Sequence, residues 1–268
     1  MLDNETTAQT AAEAFARYRD AFEHDLLIQA GWHSTDDDGR QLACALGVLG
    51  PKIDGAEKCP AAIMPRWLAQ MVPWFFDNQD FADAKAWGLL FYAELDRLKG
   101  VVPFSVVHDW QANVVGPLAI EVAAKCGRDV VAHEALKAMQ SEALAGQKFT
   151  ADEWRPVLKA AFRDAYANAY ADAYAYADAN ADAYADAYAC AYACAYANAD
   201  AYANADAYAY ANANAYAYAY ADAYADAYAN AYADAYAYAY AAKRAAMKRL
   251  ADGMVECLSR VSAEAAHG

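Results

Sequence analysis

The chain is 268 residues long, 59% hydrophobic and 14% aromatic, with a formal net charge of −15. That length is enough for one large domain or two small ones with a real core. No uncharged run of about 18 apolar residues occurs, which argues against a membrane span, and there is no glycine-rich phosphate loop.

In chain order, the opening MLDNETTAQTAAEAF carries acids but no basic stretch followed by an apolar one, so a secretory signal is not expected. TTAQTAAEAFARYRDAFEHDLLIQAGW places Ala12, Phe15, Tyr18, Phe22 and Leu26 at helical spacing, with a start at Asn4 or Thr6. CPAAIMPRWLAQMVPWFF is apolar and interrupted by Pro65 and Pro73. FADAKAWGLLFYAELDRLKG is amphipathic and ends on a Lys-Gly stop. VVPFSVVHDWQANVVGPLAIEVAAKCG mixes Val-rich pieces with Pro117, which breaks any single helix. DVVAHEALKAMQSEALAG is helical, and FTADEWRPVLKAAFRD follows with Thr150 as its N-cap and Asp152 and Glu153 in the first turn. Residues 1–163 therefore read as an all-helical domain of six or seven helices. Trp67, Trp74, Phe75, Phe76, Trp87, Phe91 and Tyr92 are its expected aromatic core.

A dipeptide array occupies 164–241. From Ala165 to Ala241 every odd residue is Ala, 39 of 39, while the 39 even residues from Asp164 to Tyr240 are 20 Tyr, 10 Asp, 7 Asn and 2 Cys. Asp, Asn and Cys codons each lie one base from Tyr, so slippage of a hexanucleotide followed by point mutation explains how such an array arises. It does not explain why only one parity varies. Steps of two residues turn 200° on a helix, so both parities would visit every face. A β conformation separates them cleanly, because successive side chains point to opposite sides. The array is accordingly expected to wind as a β-solenoid, with Ala packed inside and the even residues outside. The alternative is one long Ala-rich α-helix of roughly 115 Å. Tyrosine is too abundant for a solvated, disordered tract.

Residues 242–268 read as a C-terminal capping helix, with Met247, Leu250, Met254 and Leu258 about one per turn. Lys243, Arg244, Lys248 and Arg249 would then face the acidic outside of the array. The expected fold class is α+β: a helical domain, an Ala-cored β-solenoid and a helical cap.

The array carries ten Asp and no Lys, Arg, Glu or His between Asp164 and Tyr240. Such a surface repels phosphates, so direct nucleic-acid binding is not expected. The remaining chemistry is sparse. His108-Asp109 has no accompanying nucleophile, and His133-Glu134 lacks the second histidine of a zinc-protease helix. Cys190 and Cys194, four apart, would lie about 13 Å apart in one strand, too far to bridge. Asp36-Asp37-Asp38 reads as a solvated loop. The six cysteines are scattered and suit a reducing, cytoplasmic setting. No catalytic residue, metal ligand or cofactor site is assigned.

PRWLAQMVPWFFD at 65–77 and ADAYADAYA at 181–189 give the chain a layout that resembles uncharacterised phage and bacterial proteins joining a helical region to a long Ala-X array. The resemblance implies a phage or mobile-element setting and transfers no active site. Tyr, Asp and Asn together form the palette of antibody paratopes, large rigid contacts with adaptable polar groups. The expected partner-binding residues are Tyr184, Asp186, Tyr188, Tyr192, Tyr196, Asp200, Tyr202, Asp206, Tyr208, Tyr216, Tyr218, Tyr220, Asp222 and Tyr224. The function expected is non-enzymatic: binding a protein partner or self-association, with homo-oligomers. The alternatives are an acidic decoy for a nucleic-acid-binding protein and, behind it, an enzyme in the helical domain.

Overall fold

A computed structural model describes residues 6–125, 127–161 and 233–262, with side chains in the last stretch from 243 onward. Two compact units form. The first takes the chain up to Val106 together with residues from Met247 onward, and the second takes residues between Val107 and Ala246.

In the first unit, helix α1 (Ala11–Glu23) starts at Thr10, whose extended backbone and side-chain oxygen cap it. Glu13 completes the cap: its amide donates to Thr10 Oγ1 over 3.2 Å, and its carboxylate accepts from Gln9 N. The helix begins later than Asn4 or Thr6 because that segment is otherwise engaged. Ala8 N donates to Leu49 O, and Arg17 holds Thr6 through its carbonyl and hydroxyl. Two short antiparallel strands follow, β1 (His33–Thr35) and β2 (Gln41–Ala43), in the register His33↔Ala43. Their turn is closed by Asp36, which accepts from the amides of Asp38 and Arg40, with Gly39 at φ +77°. Helical turns at Gly47–Leu49 and Ala56–Lys58 lead to α2 (Arg66–Asp77), which begins directly after Pro65 and carries Pro73 inside.

Helix α3 (Phe81–Arg97) is the spine of this unit, burying Trp87, Phe91, Tyr92 and Leu95. Its Lys-Gly stop works as the spacing predicts. Lys99 and Gly100 both take positive φ, and Gly100 N bonds back to Leu95 O over 2.9 Å. Helix α1 packs on α3 so closely that a Cβ on Gly88 would sit 2.1 Å from the Tyr18 hydroxyl. The Tyr18 ring stacks on Tyr92 at 4.9 Å. Six of the seven expected core aromatics are buried; Trp67 is half-buried, edge-on to Phe104.

Toward and within the second unit, α4 (Ser105–Trp110) passes through a five-residue π-turn (Gln111–Val115) into α5 (Gly116–Lys125). The expected break at Pro117 is realised by this turn: Gly116 N reaches back five residues to Gln111 O. Helix α6 (Val131–Leu144) and helix α7 over 151–161 also belong to this unit, packing Leu136 against Leu158 and Ala161.

Helix α8 (Ala233–Arg260) corrects the expected fold class. Residues 233–241, the last part of the Ala-X array, are helical and continue without a break into the expected capping helix. The only sheet among the described residues is the β1–β2 pair, so the α+β class with an Ala-cored β-solenoid is not supported. Residues 164–232 of the array lie outside the described residues. Two physical factors account for the error. Alanine has the highest helix propensity of any residue, and half of the array is alanine. A helix also separates the two parities locally. Residues i, i+4 and i+8 form one row along a helix and all share a parity. Around the cylinder, alanine rows therefore alternate locally with rows of even residues, although the rows wind about 40° every four residues and fix no single face.

Candidate functional site

The array's described end is mounted on a packed helix. Along α8, Met247, Leu250, Met254 and Leu258 are all buried, the one-per-turn positions read from sequence. Three polar contacts fix this helix in the first unit. The Trp87 indole N–H donates to Ala251 O over 2.9 Å. The Arg97 guanidinium donates to Leu258 O over 2.7 Å and to Val261 O over 2.9 Å, a cation on the last carbonyls of a helix, where its dipole favours one. Glu94 holds the same guanidinium over 2.7 Å.

One basic residue of the tail, Lys248, is held within the first unit. Lys248 reaches Asp252 over 2.9 Å and Asp83 on α3 over 3.5 Å, and these two carboxylates hold its amine above the usual lysine range. Lys243 is half-buried, and burial, with Arg244 beside it, lowers its amine.

The fourteen partner-binding residues assigned from sequence, Tyr184 to Tyr224, lie outside the described residues, as do Cys190 and Cys194. The histidine pairs are described. His108 bonds through Nδ1 to Gln140 Oε1 over 2.7 Å, and its ring lies parallel to Trp154 at 6.0 Å. Its sequence neighbour Asp109 accepts from Asn113 over 2.7 Å. His133 is buried on α6, seven residues before Gln140, which is two turns or about 10 Å along the helix. Gln140 sits 32 residues beyond its partner His108, and nothing in the local sequence signals that pairing. Gln111 opens the π-turn as a buried amide whose side-chain nitrogen has no hydrogen-bond partner among the described residues.

Asp36 to Asp38 form the hairpin turn described above. The described cysteines, Cys44, Cys59 and Cys257, are not joined in disulfides. Burial pushes the Cys59 thiol up to about 12 and raises Cys44 as well, which removes thiolate character from both. Among the described residues no three His, Cys, Asp or Glu side chains are grouped to hold a metal ion, and no helix is long and apolar enough to cross a membrane.

No protein-family model, curated protein or solved structure matches this chain.

Proposed function

We propose that this is a non-enzymatic assembly protein that self-associates through the even residues of its Ala-X array. The single observation behind this reading is the one-sided variation of the array: 39 odd positions are all alanine, while the even ones vary only among Tyr, Asp, Asn and Cys. Slippage creates both parities alike, so holding one of them small requires a steric constraint. Close approach of a second chain over the alanines supplies it. On an Ala-X helix, alanine rows would form grooves flanked by ridges of larger residues, and one such surface would accept the ridges of another. The layout's likeness to phage and bacterial proteins suggests a mobile-element setting for this assembly.

A second reading, an acidic decoy for a basic protein, is favoured by one observation: ten Asp and no base in 77 residues. Salt separates the two readings. Self-association opposes Asp–Asp repulsion and strengthens as salt screens it, whereas capture of a basic partner weakens. Sedimentation velocity of the full chain at low and high salt gives the sign for self-association. Titration with a polycation such as polylysine gives it for the decoy. Replacing the array's Asp by Asn should abolish polylysine binding and strengthen self-association; polylysine binding that survives the change counts against the decoy.

A further inference from the structure

Three of the 12 glycines follow an aspartate, in Asp38-Gly39, Asp54-Gly55 and Asp252-Gly253. In such a pair the glycine amide nitrogen can attack the carboxyl carbon of the aspartate side chain. An N–C bond forms, a C–O bond breaks and water leaves, giving a cyclic succinimide. Water then reopens the ring, and opening at the main-chain carbonyl leaves isoaspartate, with one extra methylene in the backbone. The sequence of steps is neutral in electrons and needs no co-reactant but water. Glycine favours it because no Cβ obstructs the nitrogen. The attack requires a protonated carboxyl, an amide that can leave its hydrogen bond, and backbone freedom to close the ring. The three pairs differ in these respects.

Asp252-Gly253 lies inside α8, where Gly253 is buried and its amide takes the helical hydrogen bond. The Asp252 carboxylate accepts from Lys248 over 2.9 Å, and ring closure would force Asp252 out of helical ψ. Asp54-Gly55 leads into the helical turn Ala56–Lys58. Lys58 pairs with the Asp54 carboxylate and holds it below the usual carboxylate range, so in the unreactive anion. Gly55 is buried, and the Glu57 carboxylate fills the space where a Cβ would sit, a negative group beside the peptide unit that must lose a proton.

Asp38-Gly39 lacks these protections. Both residues are exposed at the tip of the β1–β2 hairpin, and the Asp38 carboxylate makes no hydrogen bond or ion pair among the described residues. Nothing lies within 4 Å of a Cβ built on Gly39. The Gly39 amide donates to Asp36 O over 3.0 Å, but that bond closes an exposed turn between three-residue strands, which opens at small cost.

We propose that Asp38-Gly39 is a site of spontaneous modification, where the folded protein converts aspartate to isoaspartate while the fold keeps Asp54-Gly55 and Asp252-Gly253 intact. The consequence is local. A methylene inserted between Asp38 and Gly39 displaces the Gly39 and Arg40 amides, which close the turn on Asp36. The far end of β2 is held independently: Ala43 N donates to Leu26 O and Ala43 O accepts from Ile28 N, each over 3.0 Å. The turn loosens and the core beneath it stays packed.

Trypsin places the three pairs on separate peptides, ending at Arg40, Lys58 and Arg260. The full chain is aged at neutral pH and physiological temperature, once folded and once in guanidinium chloride. Electron-transfer fragmentation then measures isoaspartate in each peptide. Dividing each folded rate by the same peptide's rate in guanidinium removes differences of local sequence. That ratio is expected to be at least about tenfold larger for the Arg40 peptide than for the other two. Equal ratios, or an Arg40 peptide that converts only in guanidinium, would overturn the assignment. Gly39→Ala should suppress isoaspartate at Asp38, and its persistence would overturn the succinimide route. Near-UV circular dichroism of the aged protein should keep the signal of the buried tryptophans; loss of that signal would contradict a local consequence.

Discussion

The indole N–H of Trp87 and the main-chain carbonyl of Ala251 are 2.9 Å apart, although 164 residues separate them in the chain. This bond ties the helix that leaves the array to the spine of the first unit. Trp87 lies fully buried, stacked on Phe91 at 4.9 Å, so the donor is held in a fixed orientation. Trp87→Phe keeps most of the ring packing and removes the donor. The expected loss is about 1–3 kcal/mol by urea denaturation. An unchanged midpoint would mean that this bond does not hold α8.

The same seam separates buried from surface contributions. Leu250 is fully buried on α8, and Leu250→Ala is expected to cost about 2–5 kcal/mol. Lys248 bridges Asp83 and Asp252 in a half-exposed position, and Lys248→Ala should cost less than about 1 kcal/mol. Thermal denaturation of the two variants side by side checks the ranking, and a reversed order would refute it.

Two glycines in the first unit should not tolerate alanine. At Gly100 the backbone has φ +75°, and a Cβ would meet Ala62 O at 2.2 Å; backbone cannot yield as a flexible side chain can. At Gly88 the obstacle is the buried Tyr18 hydroxyl at 2.1 Å, itself donating to Lys85 O. Gly39, which has positive φ but nothing within 4 Å, is the control. Its alanine variant should lose only about 1 kcal/mol, while the other two lose distinctly more in the same melting assay.

Helix α7, the last helix described before the array, should respond to pH through its cap. Thr150 and Glu153 form a reciprocal cap, with the carboxylate accepting from both the amide and the hydroxyl of Thr150. These bonds lower the Glu153 carboxyl below the ordinary glutamate range. A lowered carboxylate stabilises the folded state above its unfolded value, and that contribution is lost as pH falls through the folded value. Thr150→Ala should cost about 1 kcal/mol at neutral pH, and Glu153→Gln should flatten the acid side of the stability profile. A Glu153→Gln variant with an unaltered acid limb would contradict the cap's role.

The described thiols should be inert. Cys44 and Cys257 are buried, and the half-buried Cys59 is raised to about 12. Peptide mapping after iodoacetamide treatment near pH 8 is expected to show all three protected in folded protein and labelled in urea. Equal labelling in both conditions would be inconsistent with this burial.

Much of this arrangement was legible in the sequence, and the exceptions have physical causes. Met247, Leu250, Met254 and Leu258 betrayed a helix because one face repeats once per turn. Lys99-Gly100 and Thr150 worked as stop and start signals because they satisfy main-chain groups locally. The β1–β2 hairpin was invisible because His33, Ser34 and Thr35 are all exposed and leave no alternating apolar face. The Trp87–Ala251 and His108–Gln140 pairings were equally hidden, since each is made only when distant segments pack. The array misled for a subtler reason. Its period of two fits a strand, yet it is also half of four, and four is the spacing of a helical row.

Sedimentation velocity of the full chain across a concentration series, at low and then high salt, tests the central claim most directly. Self-association through the array predicts a sedimentation coefficient that rises with concentration. The rise should be steeper at high salt, where Asp–Asp repulsion is screened, and weakened when the array's tyrosines are changed to serine. A wild-type chain that remains monomeric at every concentration and salt level would contradict it.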